Sequence, residues 1–141
     1  MEESMMKQAL KLEEVDVRTY SPLVLAYIGD AVYELLIRTK VINHGSMQVN
    51  KMHKKSASLV KAETQANLIK ALLEELTEEE TAVYKRGRNA KSATTAKHAT
   101  MIDYRMATGF EALIGYLYLT DRYERLLTLV HNGLENIGEL S

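Results

Sequence analysis

The sequence predicts one all-α domain, and three features of its composition support this prediction. A chain of 141 residues that is 46% apolar has room for one hydrophobic core and is expected to fold. Seven glycines and a single proline leave few turn residues. The strong helix formers Leu, Ala, Glu and Lys are abundant, which favours helices over a sheet sandwich.

The N-terminal half is predicted to hold a short segment and two long helices. Residues 1–20 are expected to form an arm or a short helix. Ser21 followed by Pro22 is typical of a helix start. The helix that follows, over about 22–41, is apolar on nearly every side and is therefore expected to be central and buried. After a turn, one long helix is expected to run to about residue 75.

The C-terminal half is predicted to hold three more helices. Thr77 with Glu80 three residues later forms a capping box, which marks the start of the first of them. The predicted bounds are a helix to about 87, a loop over 88–98, an apolar helix over 100–119 and a last helix over 120–138.

Several classes of protein are excluded by composition. The absence of cysteine excludes disulfides, thiolate metal sites and a cysteine nucleophile. No apolar run is long enough to span a membrane, and the first residues lack the pattern of a signal peptide. We therefore expect a cytoplasmic protein without a membrane partner.

Positive charge is concentrated in one segment, although the net charge is only −1. Residues 85–98 contain no acidic residue, and their basic residues are Lys85, Arg86, Arg88, Lys91 and Lys97. Such a segment is either a solvated loop or a surface that binds a polyanion.

Two acidic residues lie within the two most apolar predicted helices. They are Asp30 and Glu111. A buried carboxylate without a partner costs several kcal/mol, so each needs a proton, a partner or a metal ion. Glu34, one turn from Asp30, adds negative charge to that face. The small neighbours Ala26, Ala107 and Gly115 are expected to leave space for a hydrated ion.

A divalent cation is one explanation of this pair. Carboxylate oxygens with room for water suit Mg²⁺, with Mn²⁺ as the alternative ion. The other explanation is that each acid bonds to a Tyr, Thr or Arg from another helix. The residues by themselves leave both open.

Three segments resemble ribonuclease III domains, over about residues 20–127. Leu-Ala-Tyr-Ile-Gly-Asp-Ala-Val-Tyr-Glu-Leu at 25–35 resembles the signature helix of that family. Phe-Glu-Ala-Leu-Ile-Gly-Tyr-Leu-Tyr-Leu at 110–119 resembles its second metal-binding helix. Arg-Gly-Arg-Asn-Ala-Lys at 86–91 is similar to the Mini-ribonuclease III branch, which lacks a separate RNA-binding domain.

The resemblance implies roles for particular residues. Asp30 and Glu111 match the family's catalytic metal ligands. Two further acids of full-length ribonuclease III fall at Ala26 and Thr108 and are missing here, as they are in the Mini branch. Tyr27 stands where the family has an aromatic residue at its dimer interface.

The resemblance also implies an activity. It is that of a homodimeric, Mg²⁺-dependent endoribonuclease that cleaves double-stranded RNA and leaves 5′-phosphate and 3′-hydroxyl ends. Its implied substrate is precursor ribosomal RNA of the 23S type, and a ribosomal protein that presents this RNA is left open. Duplex RNA is recognised by its shape and backbone. The residues expected to contact it are Lys85, Arg86, Arg88, Asn89, Lys91 and Lys97, with Ser92 and Thr94 adding hydrogen bonds.

Two other functions are compatible with the sequence. One is a degenerate ribonuclease III fold that binds structured RNA without cutting it, since two acids of the family are missing. The other is a helical adaptor whose apolar helices bind a protein partner. Mg²⁺-dependent cleavage separates the first from a nuclease, and an Asp30→Asn variant that keeps its function would indicate the second.

Overall fold

A computed structural model describes residues 3–45, 48–91 and 100–141, and these residues form an all-helical domain. The described part of the chain contains seven α-helices and two 3₁₀ turns, at Val17–Thr19 and Leu73–Glu75. The α-helices are α1 (Glu3–Ala9), α2 (Pro22–Asn43), α3 (Val49–Val60), α4 (Ala62–Lys70), α5 (Glu78–Asn89), α6 (Met101–Leu119) and α7 (Tyr123–Asn136). The predicted all-α class is confirmed.

Helix α6 is the centre of the core, and α2, α4, α5 and α7 all pack against it. Its residues from Met106 to Leu117 are buried with the exception of Glu111, which is half-buried. Phe110 meets the ring of Tyr33 from α2 edge-on, with ring centroids 5.2 Å apart. The strongly apolar composition of α6 follows from its having neighbours on every side.

Helix α2 is central but not fully buried. The Ser21 hydroxyl accepts a hydrogen bond from the Val24 amide, and Pro22 is the first helical residue, as predicted. One face packs on α6, while an opposite stripe stays exposed. The prediction of burial on nearly every side is therefore wrong for this single chain.

The long helix predicted to reach residue 75 is in fact broken into α3 and α4. Lys61 lies between them with an extended backbone, at ψ 156°. Side chains bond the last carbonyls of α3 and so satisfy groups that a continuous helix would satisfy itself. Periodicity could not reveal the break, because apolar residues continue at helical spacing across it.

Helix α5 begins with the predicted capping box and reaches Asn89, slightly beyond the predicted end. Glu80 is part of the capping box and also pairs with Arg125 of α7. Nε and Nη2 of Arg125 donate to the Glu80 carboxylate at 2.8 and 2.9 Å. Glu80 is only 3% exposed, whereas the Arg125 side chain is 32% exposed, so the ion pair is buried on the Glu80 side alone. Its hydrogen bonds with Arg125 lower the pKa of the Glu80 carboxyl.

Two remaining observations concern the ends of the chain and its apolar helices. The expected N-terminal helix is α1, followed by the turn at Val17–Thr19. Within the described ranges, none of the helices combines the length and apolar character needed to cross a lipid bilayer.

Candidate active site

Two glycines let α2 and α6 touch through their backbones. A Cβ atom added to Gly29 would lie 1.7 Å from the carbonyl oxygen of Glu111. A Cβ atom added to Gly115 would lie 2.0 Å from the carbonyl oxygen of Leu25. No side chain fits at either point, so both positions require glycine. The expectation that Gly115 leaves room for an ion is wrong, because α2 fills that space.

This close contact brings Asp30 and Glu111 together. Asp30 follows Gly29 in α2, and its carboxyl group is close enough to that of Glu111 for a hydrogen bond between them. The burial expected for both acids is only partly correct. Asp30 is exposed and Glu111 is half-buried, so the pair lies at the edge of the core and is open to solvent on the Asp30 side.

The surroundings of Glu111 favour its protonated form when no cation is present. Burial raises the pKa of its carboxyl to about 9, and the hydrogen bond and negative charge of Asp30 act in the same direction. A hydrogen bond from Gln65 opposes them. Two carboxyl groups this close, one of them partly desolvated, cannot both ionise without a nearby positive charge.

The broken end of α3 places two more polar side chains beside Glu111. The Tyr33 hydroxyl donates to the Leu59 carbonyl at 2.9 Å, and Gln65 Nε2 donates to the Val60 carbonyl at 2.7 Å. Gln65 Nε2 also lies 3.4 Å from Glu111 Oε2. Burial is the main cause of the raised pKa of Tyr33, and the charge of Glu111 adds to it.

Sequence reasoning missed Gln65. The signal was present, since Gln65 shares the inward face of α4 with two apolar residues, Leu68 and Ile69. A polar residue at an inward position of an otherwise apolar face needs a partner, and here its partner set includes the active-site carboxylate.

The positions of the family's missing acids provide no ligand. Ala26 is buried, and the Thr108 hydroxyl donates to the Tyr104 carbonyl of its own helix at 3.0 Å. Glu34, which was expected to add charge beside Asp30, forms its own ion pair with Arg38 at 3.3 Å. The candidate site is therefore the pair Asp30 and Glu111, with Gln65 beside Glu111.

This donor set fits a hydrated, hard divalent cation. Carboxylate oxygens suit Mg²⁺ or Mn²⁺, and Mg²⁺ commonly takes only one or two protein carboxylates and keeps several waters. Across the described residues, no three His, Cys, Asp or Glu side chains are grouped so as to enclose a metal by themselves. Any cation held here would take its other ligands from water or from a bound phosphate.

The basic residues predicted to bind RNA begin on α5, which also includes Arg88 and Asn89, two residues that were predicted to lie in the following loop. Lys85 and Arg86 are exposed in its last turns. Between them and Arg88, Gly87 packs on α6, where an added Cβ would lie 2.8 Å from Ala112 Cβ and 3.2 Å from the Thr108 carbonyl oxygen. The basic turn of α5, defined here as residues 85–88, is therefore attached to the same segment of α6 that carries Glu111.

The other predicted residues have varied surroundings. The guanidinium of Arg88 lies over the ring of Tyr84, 5.7 Å from its centroid, and donates to Asn89. Lys91 is exposed. Tyr27 is 82% exposed. Lys97, Ser92 and Thr94 lie outside the described residues.

Comparison with known proteins gives one consistent family. The ribonuclease III domain family matches residues 23–122. The chain is 51% identical to a Mini-ribonuclease 3 of Clostridium tetani, over 88% of this chain and 87% of that protein. It is 46% identical to a Mini-ribonuclease 3 of Thermoanaerobacter, over 99% of this chain and the whole of that protein.

A solved structure has the same fold. The protein FN1578 from Fusobacterium nucleatum superposes with a TM-score of 0.79 at 32% sequence identity. The match covers 87% of this chain and 98% of that one. The helical arrangement described above is therefore shared with an experimentally determined relative.

Proposed function

The chain belongs to the ribonuclease III family, in its Mini-ribonuclease 3 branch, and is an endoribonuclease; from this premise we propose that it cleaves double-stranded RNA with a divalent cation held by Asp30 and Glu111. The cation is proposed to be Mg²⁺, with Mn²⁺ as a substitute, and the enzyme is proposed to act in the cytoplasm. The products would carry 5′-phosphate and 3′-hydroxyl ends.

The observation that carries the proposal is the hydrogen-bonded pair of carboxyl groups at the contact between α2 and α6. A divalent cation bound there would supply the positive charge that lets both carboxylates ionise, and it would polarise the phosphodiester and activate water. Asp30, on the solvent side, is placed to meet an incoming phosphate. Glu111 lies where the backbone of α6 contacts Gly29 of α2, and Gln65 Nε2 is 3.4 Å from its Oε2, so its position is set by packed helices.

Cleavage of a long RNA duplex by the purified chain tests this assignment. We expect cleavage with Mg²⁺ and none with EDTA. Asp30→Asn and Glu111→Gln should each reduce the rate at least about a hundredfold, because each removes a ligand oxygen that carries charge. Glu124→Gln, which changes an exposed acid of α7, should cleave normally. If Asp30→Asn and Glu111→Gln cleave as fast as Glu124→Gln, the proposed site is wrong. A chain that binds the duplex without cutting it would be a degenerate member of the fold.

The basic turn of α5 is proposed to contact the RNA backbone, together with Asn89, Lys91 and Lys97. Its attachment to α6 keeps these charges at a fixed offset from the carboxylates. Each lost phosphate contact should lower the salt dependence of binding by about one unit of slope. Lys85→Ala and Arg86→Ala should therefore weaken binding uniformly across duplex sequences, whereas an affinity that is indifferent to salt would contradict the contact.

The finer identity of the substrate rests on family likeness. We propose precursor ribosomal RNA of the 23S type, matured at its ends. Cleavage of such a precursor at a single position, compared with a random duplex of equal length, would support this. Random cutting of both would leave only the general duplex activity. No observation on the chain or its relatives supports a ribosomal protein partner, and none is proposed.

A homodimer is proposed from the exposed stripe on α2. Val24, Tyr27, Ala31 and Leu35 follow one another at helical spacing and are all exposed. An apolar patch of this kind on a soluble chain marks an interface. Tyr27→Glu should convert a dimer into a monomer in analytical ultracentrifugation, while Val49→Glu, at an exposed apolar residue outside this stripe, should not. A wild-type chain that sediments as a monomer at micromolar concentration would contradict the proposal.

A further inference from the structure

Gln65 has a buried oxygen for which the described structure offers no partner. The residue is 2% exposed, and its Oε1 atom accepts no hydrogen bond from any described group. A buried amide oxygen left in this state is costly, so such atoms in native proteins are nearly always bonded to protein, water or an ion.

The orientation of the Gln65 amide is fixed by its neighbours. Nε2 donates to the Val60 carbonyl at 2.7 Å, and rotating the amide by half a turn would place two acceptor oxygens against each other. The same Nε2 faces Glu111 Oε2 at 3.4 Å, which is long for a hydrogen bond. Oε1 is bonded to the same carbon atom as Nε2, so the unpartnered oxygen belongs to the amide group that faces the carboxylate of Glu111.

We propose that Gln65 is a positioning residue of the cation site, which holds Glu111 through Nε2 and offers Oε1 to the hydrated cation. This inference rests on the proposed function, since it assumes that Asp30 and Glu111 bind a divalent ion. It explains why an inward position of α4 carries an amide instead of an aliphatic side chain. An amide can donate to the carboxylate and accept from water at once, without adding a charge to a partly buried pair.

Direct binding of Mn²⁺ to the folded protein, without RNA, tests the role of Gln65. Electron paramagnetic resonance of the unbound ion gives the affinity. Gln65→Met keeps the length of the side chain and removes both polar atoms, so Mn²⁺ affinity should fall about tenfold or more, as when other groups that support metal ligands are removed. The matched control is Gln48→Met, which changes an exposed glutamine at the start of α3 that makes no capping bond. Its affinity should stay within about twofold of wild type.

Gln65→Glu separates a metal-facing role from a purely structural one. Glutamate keeps an oxygen at the same reach but cannot donate to the Val60 carbonyl. Gln65→Glu loses the Nε2 contact with Glu111 but keeps an acceptor oxygen, so if Gln65 acts on the cation this variant should bind Mn²⁺ clearly more tightly than Gln65→Met. If Gln65 only closes the end of α3, Gln65→Glu should bind as poorly as Gln65→Met, and the proposal is overturned.

The remaining outcomes are also decisive. Gln65→Met with wild-type affinity overturns the inference and leaves the proposed function intact, whereas wild-type protein that binds no Mn²⁺ contradicts the proposed function itself. If the variants do not fold, the wild-type protein is titrated with Mg²⁺ and followed by nuclear magnetic resonance. The side-chain amide signal of Gln65 should shift and that of Gln48 should not, and an unmoved Gln65 signal overturns the proposal.

Discussion

Replacing Gly29 with alanine tests whether the backbone contact between α2 and α6 sets the site. The new Cβ would lie 1.7 Å from the Glu111 carbonyl oxygen, half the 3.4 Å at which ordinary contact begins. Because a backbone oxygen in mid-helix cannot rotate away, the two helices must separate. Overpacking costs about 1–3 kcal/mol, and we take its upper end here. Alanine returns about 1 kcal/mol through its helix propensity. The expected net loss is about 2 kcal/mol, or a fall in Tm of about 4–8 °C.

In Gly29→Ala, the cleavage rate should fall by more than the loss of folding stability alone would cause. Asp30 follows Gly29, so separating the helices moves its carboxyl group away from Glu111, and a misplacement of about 1 Å can cost about a hundredfold in rate. Gly133→Ala is the matched control, because its Cβ would overpack the core against the Leu68 side chain, at 2.4 Å from Cδ2 and 2.5 Å from Cγ, and not against the backbone contact between α2 and α6. The control should keep the wild-type rate. If Gly29→Ala keeps both the Tm and the cleavage rate of the wild type, the argument from backbone contact fails.

Three further predictions concern stability. Arg125→Met leaves the buried Glu80 carboxylate without its partner and should cost about 3 kcal/mol by urea unfolding. Because the pKa of Glu80 is lowered in the folded state, this loss of stability should be seen above about pH 4.5 and should vanish as the pH falls through the folded pKa. An equal loss of stability at pH 2 would contradict this prediction. Tyr33→Phe removes the bond to the Leu59 carbonyl and should cost about 1–2 kcal/mol in the same assay, and an unchanged midpoint would show that water replaces the hydroxyl. Because the pKa of Glu111 is raised to about 9, the metal-free protein should lose stability as the pH rises from about 4.5 to 9. Glu111→Gln in EDTA should remove that slope, and a slope that persists would assign it to another group.

Much of the fold could be predicted because its signals are local. Ser21 and Pro22 start α2, and Thr77 with Glu80 starts α5, as the capping rules require. These signals depend on a few neighbouring residues, and the rest of the molecule does not alter them. Glu111 was also predictable as a conflict between charge and an apolar surrounding, whereas Asp30 is exposed and the same argument does not hold for it.

The parts that could not be predicted depend on contacts between distant segments. The break at Lys61 is stabilised by Tyr33 and Gln65, and one of these lies in another helix. The exposure of Asp30 depends on where α2 meets the edge of α6. Gly115 appeared to be space for an ion because a sequence shows the small residue but not the helix that fills the gap.

The glycine contact between α5 and α6 has a consequence for where a bound duplex would lie relative to the carboxylates. Gly109 of α6 lies so close to Tyr84 that an added Cβ would be 2.7 Å from its carbonyl oxygen, and Gly87 sits equally tightly on the other side. Because the two glycines let the helices meet this closely, α5 cannot move toward α6 without a clash. If the basic turn of α5 binds a duplex as proposed, this contact would hold the bound RNA backbone at a fixed offset from Asp30 and Glu111.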